Sequence, residues 1–148
     1  MKRNKVTFVC TGNTCRSPMA EAILRDKIKK NKIKWWDAAS CGTNAEVGGT
    51  ISENSKAVLK EIGISVDKFK PKQLTKKRIE SSTLVVCMTA SQKRIASQYT
   101  DRAVCVGDIY TSDVPDPYGM SVDVYRITRN TISEVCDIIL EKFVKKYK

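Results

Sequence analysis

The chain has 148 residues, a formal net charge of +11 and no histidine. This length suits one domain over residues 1–148 whose core needs no disulfide or metal, and 41% hydrophobic with 29% charged residues is typical of a globular protein. The missing histidine excludes Ser-His-Asp and Cys-His catalysis and any zinc site that uses histidine.

Membrane and export signals are not evident. No segment approaches the ~18 apolar residues that a membrane span requires, and no small-residue cleavage site follows the short basic and apolar start, so we expect no signal peptide or membrane anchor. The six cysteines are scattered, several in apolar segments, without a Cys-x-x-Cys pair. This pattern predicts buried, reduced thiols in a cytoplasmic protein and no metal site.

The chain begins with a strand, a tight loop and a helix. Residues 5–10 are apolar and rich in β-forming side chains, which predicts a buried strand. Gly12 and Asn13 tolerate a left-handed backbone and predict a turn. Ser17 is the expected N-cap and Pro18 the first residue of a helix that continues to residue 30.

Strands and helices alternate along the rest of the chain. We predict strands at 35–40, 84–88 and 103–106, loops at 43–50, 65–77 and 107–120, and short helices between Ser52 and Gly63 and at 91–99. A long amphipathic helix is expected at 122–147. Its predicted core-facing residues are Val124, Ile127, Ile132, Val135, Ile138, Ile139 and Phe143.

This alternation predicts an α/β fold with a parallel sheet that helices cover on both faces. Functional sites in such folds lie beyond the carboxyl ends of the strands. The loops at 10–17 and 107–120 both follow predicted strands, so we expect them to meet at that edge.

The loop from Cys10 to Ser17 has the form Cys, five residues, Arg, Ser. Backbone N–H groups in such a loop converge near the helix N-terminus, which favours a bound phosphate. Arg16 can hold two phosphate oxygens with its planar guanidinium, and Cys10 then lies beneath the phosphorus. The same groups favour the thiolate of Cys10, so the nucleophile needs no histidine. The alternative is a buried structural cysteine before an ordinary helix.

The predicted chemistry is a phosphate transfer in two steps. The Cys10 thiolate attacks phosphorus and displaces the leaving group, and water then hydrolyses the thiophosphate. Ser17 can donate a hydrogen bond to the sulfur, Gly12 permits close approach of the backbone, and Asn13 can brace the loop. The expected substrate-binding residues are Thr11, Gly12, Asn13, Thr14, Cys15, Ser17 and Tyr118.

The leaving atom needs a proton, and without histidine a carboxylic acid is the expected donor. Asp116 stands between two prolines that stiffen the loop and fix its direction. Tyr118 offers an aromatic wall beside the pocket. Asp108 and Asp113 are alternative donors, and an exposed turn residue is the alternative interpretation of Asp116.

These residues resemble the low-molecular-weight protein tyrosine phosphatase family, and the resemblance covers nearly the whole chain. The matching motifs are CTGNTCRSPMAEAIL at 10–24, SCGT at 40–43, LVVCMT at 84–89 and DPYG at 116–119. The resemblance implies a three-layer α/β sandwich with a four-stranded parallel sheet, no metal or cofactor, and inhibition by phosphate-like oxyanions. The roles it implies are nucleophile for Cys10, phosphate binder for Arg16, acid for Asp116, thiolate partner for Ser17, and loop support for Asn13 and Ser40.

Two positions bear on the phosphorylated side chain. Thr14 stands where tyrosine-directed members usually carry an aliphatic residue, and a bacterial branch with threonine there removes phosphate from arginine. Gly119 follows Tyr118 where many tyrosine-directed members have a second aromatic residue. Phosphorylated proteins are the expected partners, and both positions favour phosphoarginine over phosphotyrosine, although Thr14 as a neutral variant leaves phosphotyrosine open.

Cys15 lies close to Cys10 in the same loop. In this family such a thiol can form a reversible disulfide with the nucleophile, which makes the site sensitive to peroxide. The alternative is a small thiol that only packs.

Three other functions are alternatives to this one. Arsenate reduction on the same scaffold needs a further pair of nearby cysteines, and Cys87 has none closer than Cys105. Basic segments at 25–34, 68–78 and 145–148 raise the possibility of nucleic-acid binding, but no nucleic-acid motif accompanies them. A silent phosphate binder is disfavoured because Cys10, Arg16 and Asp116 occur together.

Overall fold

The computed structural model describes residues 3–146, and a parallel β-sheet forms its centre. The strands are β1 (Asn4–Cys10), β2 (Trp36–Gly42), β3 (Leu84–Cys87) and β4 (Ala103–Cys105). Their spatial order is β2-β1-β3-β4, and every neighbouring pair is parallel, which confirms the predicted α/β class and four-stranded sheet. Because β2 and β3 flank β1 on opposite sides, the loop after β1 lies at the switch point where such folds bind ligands.

The helices in the described residues are α1 (Arg16–Lys30), α2 (Glu53–Lys60), α3 (Lys76–Glu80), α4 (Ala90–Ala96), α5 (Val106–Ile109) and α6 (Val122–Ile139). A π-helical segment, Leu140–Val144, continues α6. The predicted end of this helix at residue 147 lies outside the described residues.

Alternation along β1 separates two hydrophobic layers. Val6 and Phe8 face the core that α1, α2 and α6 cover, and Val9 faces the core that α3 and α4 cover. Thr7 points to the second side and satisfies its buried hydroxyl at 2.6 Å from the hydroxyl of Ser82. The sheet is therefore buried on both faces, as its run of β-branched and aromatic residues predicts.

The predicted N-cap of α1 is wrong. The helix begins at Arg16, and Cys15 occupies the N-cap position without a side-chain cap bond. Ser17 cannot cap, because its hydroxyl is held by Cys10 and Asn13 inside the loop. The serine that suggested the start of a helix therefore forms part of the hydrogen-bonded loop around Cys10.

The core-facing prediction for α6 is wrong at Ile127, which is 65% exposed. The buried residues of this helix are Tyr125, Thr128, Ile132, Val135, Cys136 and Ile139, which follow the helical repeat. Ile127 is five residues from Ile132 and so lies well away from that face.

Two short helices were not predicted: α3 begins at the end of the loop predicted at 65–77, and α5 spans the end of the strand predicted at 103–106 and the start of the loop predicted at 107–120. Thr75 begins α3, where its hydroxyl accepts a hydrogen bond from the Arg78 N–H at 3.2 Å. Asp108 stabilises α5 by accepting from the Cys105 N–H at 2.9 Å. The predicted Ser52 N-cap is confirmed, since its hydroxyl accepts from the Ser55 N–H at 3.2 Å.

Candidate active site

The loop between β1 and α1 is held by its carbonyl oxygens. The carbonyls of Cys10, Thr11 and Gly12 accept from backbone N–H groups of Thr43, Asn44 and Glu46 at 2.9–3.1 Å. Because the peptide unit is planar and trans, the N–H group of each of these units points the opposite way from its carbonyl. This orientation suits a loop whose N–H groups bind an anion.

Close backbone approach requires glycine at Gly42, the last residue of β2. A Cβ atom there would lie 2.4 Å from the Thr11 carbonyl oxygen, a distance that backbone atoms cannot tolerate. Asn13 takes the predicted left-handed backbone, with φ of 57°. Gly12 does not have positive φ, so the turn depends on Asn13 and on the space left at Gly42.

A buried hydrogen-bond chain leads from Cys10 into the protein. The Cys10 Sγ lies 2.8 Å from the Ser17 hydroxyl, and the Asn13 amide donates to Ser17 at 2.8 Å and to Ser40 at 3.0 Å. Ser40 in turn donates to the Glu21 carboxylate at 2.7 Å. Since Ser17 accepts from Asn13, its own proton is available to the Cys10 sulfur, the direction that stabilises a thiolate.

Both the oxygen and the nitrogen of the Asn13 side-chain amide form hydrogen bonds. Its Oδ1 accepts from the Lys72 N–H at 2.8 Å, and its Nδ2 serves Ser17 and Ser40. We expect Asn13→Ala to lower the free energy of unfolding by about 2–4 kcal/mol, because alanine disfavours positive φ and leaves buried groups unpaired. Chemical denaturation measures this loss. Asn31→Ala, which removes only an exposed bond to the Lys27 carbonyl, is the control, and an equally small effect of both changes would contradict the structural role.

Arg16 joins the two loops of the site. Its side chain is 5% exposed, its Nη1 donates to the Val114 carbonyl at 3.0 Å, and its Nη2 lies 3.8 Å from the Asp116 carboxylate. The guanidinium is therefore held in place before any anion binds. Its contact with Val114 fixes the loop that carries Asp116 against the loop that carries Cys10.

The three candidate acids, Asp108, Asp113 and Asp116, differ in their contacts. Lys93 and the Cys105 N–H lower the pKa of Asp108 to about 2, so this carboxylate is ionised and bound elsewhere. Asp113 accepts from the backbone N–H groups of Gly107 and Ala90, and these bonds brace its loop. Asp116 lines the same pocket as Cys10, with its side chain 52% exposed.

The pocket has a volume of about 290 Å³ and is open to solvent. It brings together most of the predicted residues. Its lining residues are Cys10, Thr11, Gly12, Thr14, Cys15, Arg16, Asn44, Glu46, Asp116 and Tyr118. Asn13, Ser17 and Ser40 are buried behind it instead, where they hold the loop and the sulfur.

The four other cysteines do not line the pocket. All six are buried and free, and burial raises the pKa of Cys41 and of Cys87 to about 12. Burial also raises the pKa of the Cys136 thiol. These groups remain protonated thiols near neutral pH, so they do not offer an alternative nucleophile.

Sequence reasoning missed two residues at the site. Glu46 lies on the pocket wall and accepts a hydrogen bond from the Thr14 hydroxyl at 3.3 Å. Tyr125 of α6 is buried, with its hydroxyl 3.4 Å from the Cys15 sulfur, and burial with this contact raises its pKa to about 12. Glu46 sits in a glycine-rich segment with no motif, whereas the helical repeat of α6 marks Tyr125 as a core position.

Residues 3–146 contain no cluster of three or more cysteine, aspartate or glutamate side chains placed to hold a metal ion. In the same range, no helix is both long and apolar enough to cross a bilayer.

Comparison with known proteins agrees with this geometry. Residues 5–148 match the family model described as low molecular weight phosphotyrosine protein phosphatase. The chain belongs to this family. It is a hydrolase of the cysteine-dependent phosphatase class, as the resemblance implied.

Relatives of this phosphatase carry two names. A protein-arginine-phosphatase of Bacillus subtilis is 35% identical, with 97% of this chain and 96% of that protein covered. The low molecular weight protein-tyrosine-phosphatase PtpB of Staphylococcus haemolyticus is 33% identical, covering 84% and 88%. The solved low molecular weight protein tyrosine phosphatase from T. tengcongensis is 39% identical, with a TM-score of 0.88 and coverage of 95% and 99%.

Proposed function

We propose that this phosphatase removes phosphate from arginine side chains of proteins, with Cys10 as nucleophile, Arg16 as phosphate binder and Asp116 as general acid. The Thr14 hydroxyl on the pocket wall, paired with Glu46, is the observation that carries the choice of arginine. Relatives that are named protein-arginine-phosphatase support the same choice.

In the first step the Cys10 thiolate attacks phosphorus in line, and the bond between phosphorus and the leaving nitrogen breaks. Asp116 gives its proton to that nitrogen, so the product leaves as a neutral or cationic guanidine rather than an anion. The loop N–H groups and Arg16 bind the equatorial oxygens, where the charge of the transition state resides.

In the second step water attacks the thiophosphate, and the Asp116 carboxylate takes the proton of that water. The sulfur then leaves as a thiolate, and the Ser17 hydroxyl at 2.8 Å stabilises the charge it gains. Phosphate is released and the enzyme returns to its starting state. Phosphate-like oxyanions compete for the same loop and should therefore inhibit both substrate classes equally.

Phosphotyrosine is the second candidate because Tyr118 presents an aromatic ring, 70% exposed, on the pocket wall. An aromatic ring favours a planar apolar leaving group through stacking. The name of the staphylococcal relative supports this candidate. A flat guanidinium also stacks on an aromatic face, however, so Tyr118 is compatible with either substrate.

Thr14→Val tests the choice, because valine keeps the shape of threonine and removes the hydroxyl. We expect the change to lower kcat/KM for phosphoarginine about tenfold, the cost of one lost polar contact, and to leave phosphotyrosine unaffected or improved. Parallel assays of phosphoarginine and phosphotyrosine peptides measure the ratio. Thr43→Val is the control, and equal losses on both substrates would contradict the role given to Thr14.

The cysteines bear on the compartment in which the enzyme works and on its sensitivity to oxidation. Six free, buried thiols support work in a reducing compartment, the cytoplasm. Cys15 lines the pocket beside Cys10, which supports a reversible disulfide between them under peroxide. In the reduced protein the Cys15 sulfur lies 3.4 Å from the Tyr125 hydroxyl.

A further inference from the structure

Glu46 is a carboxylate on the wall of a pocket that is shaped to bind an anion. Its backbone N–H donates to the Gly12 carbonyl at 3.1 Å, and its Oε2 accepts from the Thr14 hydroxyl at 3.3 Å. A Cβ atom on Gly12 would lie 3.4 Å from that oxygen, so the carboxylate rests against the loop itself. Both its backbone and its side chain thus hold Glu46 beside the phosphate-binding loop.

Glu46 forms no ion pair with another residue in the described part of the chain. No arginine or lysine of residues 3–146 lies within ion-pair distance of it, although the protein has 27 lysines and arginines against 16 acidic residues. Asp116, the other carboxylate of the pocket, has Arg16 as its neighbour. Glu46 therefore places a carboxylate beside an anion site without an ion-pair partner among the described residues.

Such a charge repels a phosphate dianion and lowers affinity for any substrate that brings only negative charge. A substrate that carries a cation directly beside its phosphate reverses the effect. In phosphoarginine one guanidino nitrogen bonds phosphorus, and the other two carry N–H donors and the positive charge. Their planar arrangement matches a carboxylate, and such bonds are among the strongest in proteins. The phenyl ring of phosphotyrosine offers neither donors nor charge.

We propose that Glu46 binds the guanidinium of the substrate and so selects phosphoarginine over phosphotyrosine, an inference that rests on the proposed phosphatase function. Thr14 contributes by donating its hydroxyl proton to Glu46, which orients the carboxylate. The Thr14 oxygen keeps a free lone pair that can accept from a substrate N–H. The selectivity of the pocket then belongs to the pair Thr14 and Glu46, joined across 32 residues of sequence.

Glu46→Gln tests this assignment, because glutamine keeps the length and one oxygen of the side chain and loses its charge. Free phosphoarginine and p-nitrophenyl phosphate are the two probes, so that flanking residues of a peptide play no part. We expect kcat/KM for phosphoarginine to fall roughly 10- to 100-fold, the value of one charge-assisted hydrogen bond. Hydrolysis of p-nitrophenyl phosphate should become faster, since the repulsion between the carboxylate and the phosphate is removed. Glu46→Asp should retain part of the preference.

Glu80→Gln, an equal change of charge on exposed α3, is the control and should alter neither rate. Equal losses on both probes for Glu46→Gln, or no loss on phosphoarginine, would overturn the assignment. Cys10-dependent hydrolysis of p-nitrophenyl phosphate without any hydrolysis of phosphoarginine by the unmodified enzyme would overturn it too, and would leave the phosphatase mechanism standing. Absence of Cys10-dependent hydrolysis of both probes would overturn the mechanism and the assignment together.

Discussion

Cys10→Ser is expected to lower kcat/KM by about 10⁴-fold or more, the size of effect seen when a catalytic nucleophile is removed. A serine hydroxyl is not ionised near neutral pH, and the loop has no histidine to act as its base. The Ser17 hydroxyl, which lies 2.8 Å from the sulfur, is arranged to stabilise an anion that serine does not form. Steady-state assays with p-nitrophenyl phosphate and phosphorylated peptides measure the loss.

The matched control is Cys105→Ser, which changes a thiol of β4 that does not line the pocket and whose pKa is raised by burial. This variant should keep full activity. The Cys10→Ser protein should still bind inorganic phosphate, and an increase of its Tm with added phosphate would show that the loop is intact. Activity in Cys10→Ser near that of the unmodified protein would refute the thiolate mechanism.

Asp116→Asn is expected to lower kcat about 10²- to 10⁴-fold on substrates with poor leaving groups, the usual contribution of a general acid. Asparagine keeps the shape of the side chain and has no proton to give. With p-nitrophenyl phosphate the first step should be affected less, because that leaving group needs little protonation. The dependence of rate on leaving-group pKa therefore becomes steeper in the variant, and a series of aryl phosphates measures the slope.

The control for this change is Asp101→Asn, because the Asp101 side chain is 95% exposed and pairs with Arg102 at 3.8 Å, away from the pocket. It should leave the rates and the slope unaltered. Asp116→Asn also releases Arg16 from its 3.8 Å contact, so KM should fall or stay constant while kcat drops. If kcat fell by the same factor for every leaving group, the dependence of rate on leaving-group pKa would be unchanged. That result would show that Asp116 positions the loop and donates no proton.

Much of the fold and of the site could be predicted, because the residues that determine these parts are close together in the sequence. Residues 5–10 are mostly apolar and rich in β-forming side chains, which predicts β1 as a buried strand. The order Cys, loop, Arg at the end of that strand predicts an anion site because strand end, turn and helix start are consecutive in the chain. Asn13 was predicted to turn left-handed, and its φ of 57° agrees.

The parts that could not be predicted depend on contacts between distant segments. Glu46 reaches Thr14 across 32 residues, and the Lys72 N–H reaches Asn13 across 59. Neither residue stands in a periodic pattern, so the sequence does not indicate its neighbours. At Ser17 a local pattern was misleading. A serine before a proline is a strong signal for an N-cap, but the Ser17 hydroxyl is hydrogen-bonded to Cys10 instead. For the acid loop, the two prolines around Asp116 favour this residue in the sequence, and the structure adds that Lys93 and backbone N–H groups already bind Asp108 and Asp113.

The central claim is that phosphate passes through the sulfur of Cys10. The most direct test is rapid acid quench of Asp116→Asn during turnover of p-nitrophenyl phosphate, followed by mass spectrometry of the peptides. This variant should accumulate the intermediate because the second step lacks its base. We expect one phosphoryl group on the peptide that contains Cys10, located on the cysteine and absent when Cys10 is also replaced by alanine. A phosphoryl group on another residue, or continued turnover in the protein without Cys10, would contradict the mechanism.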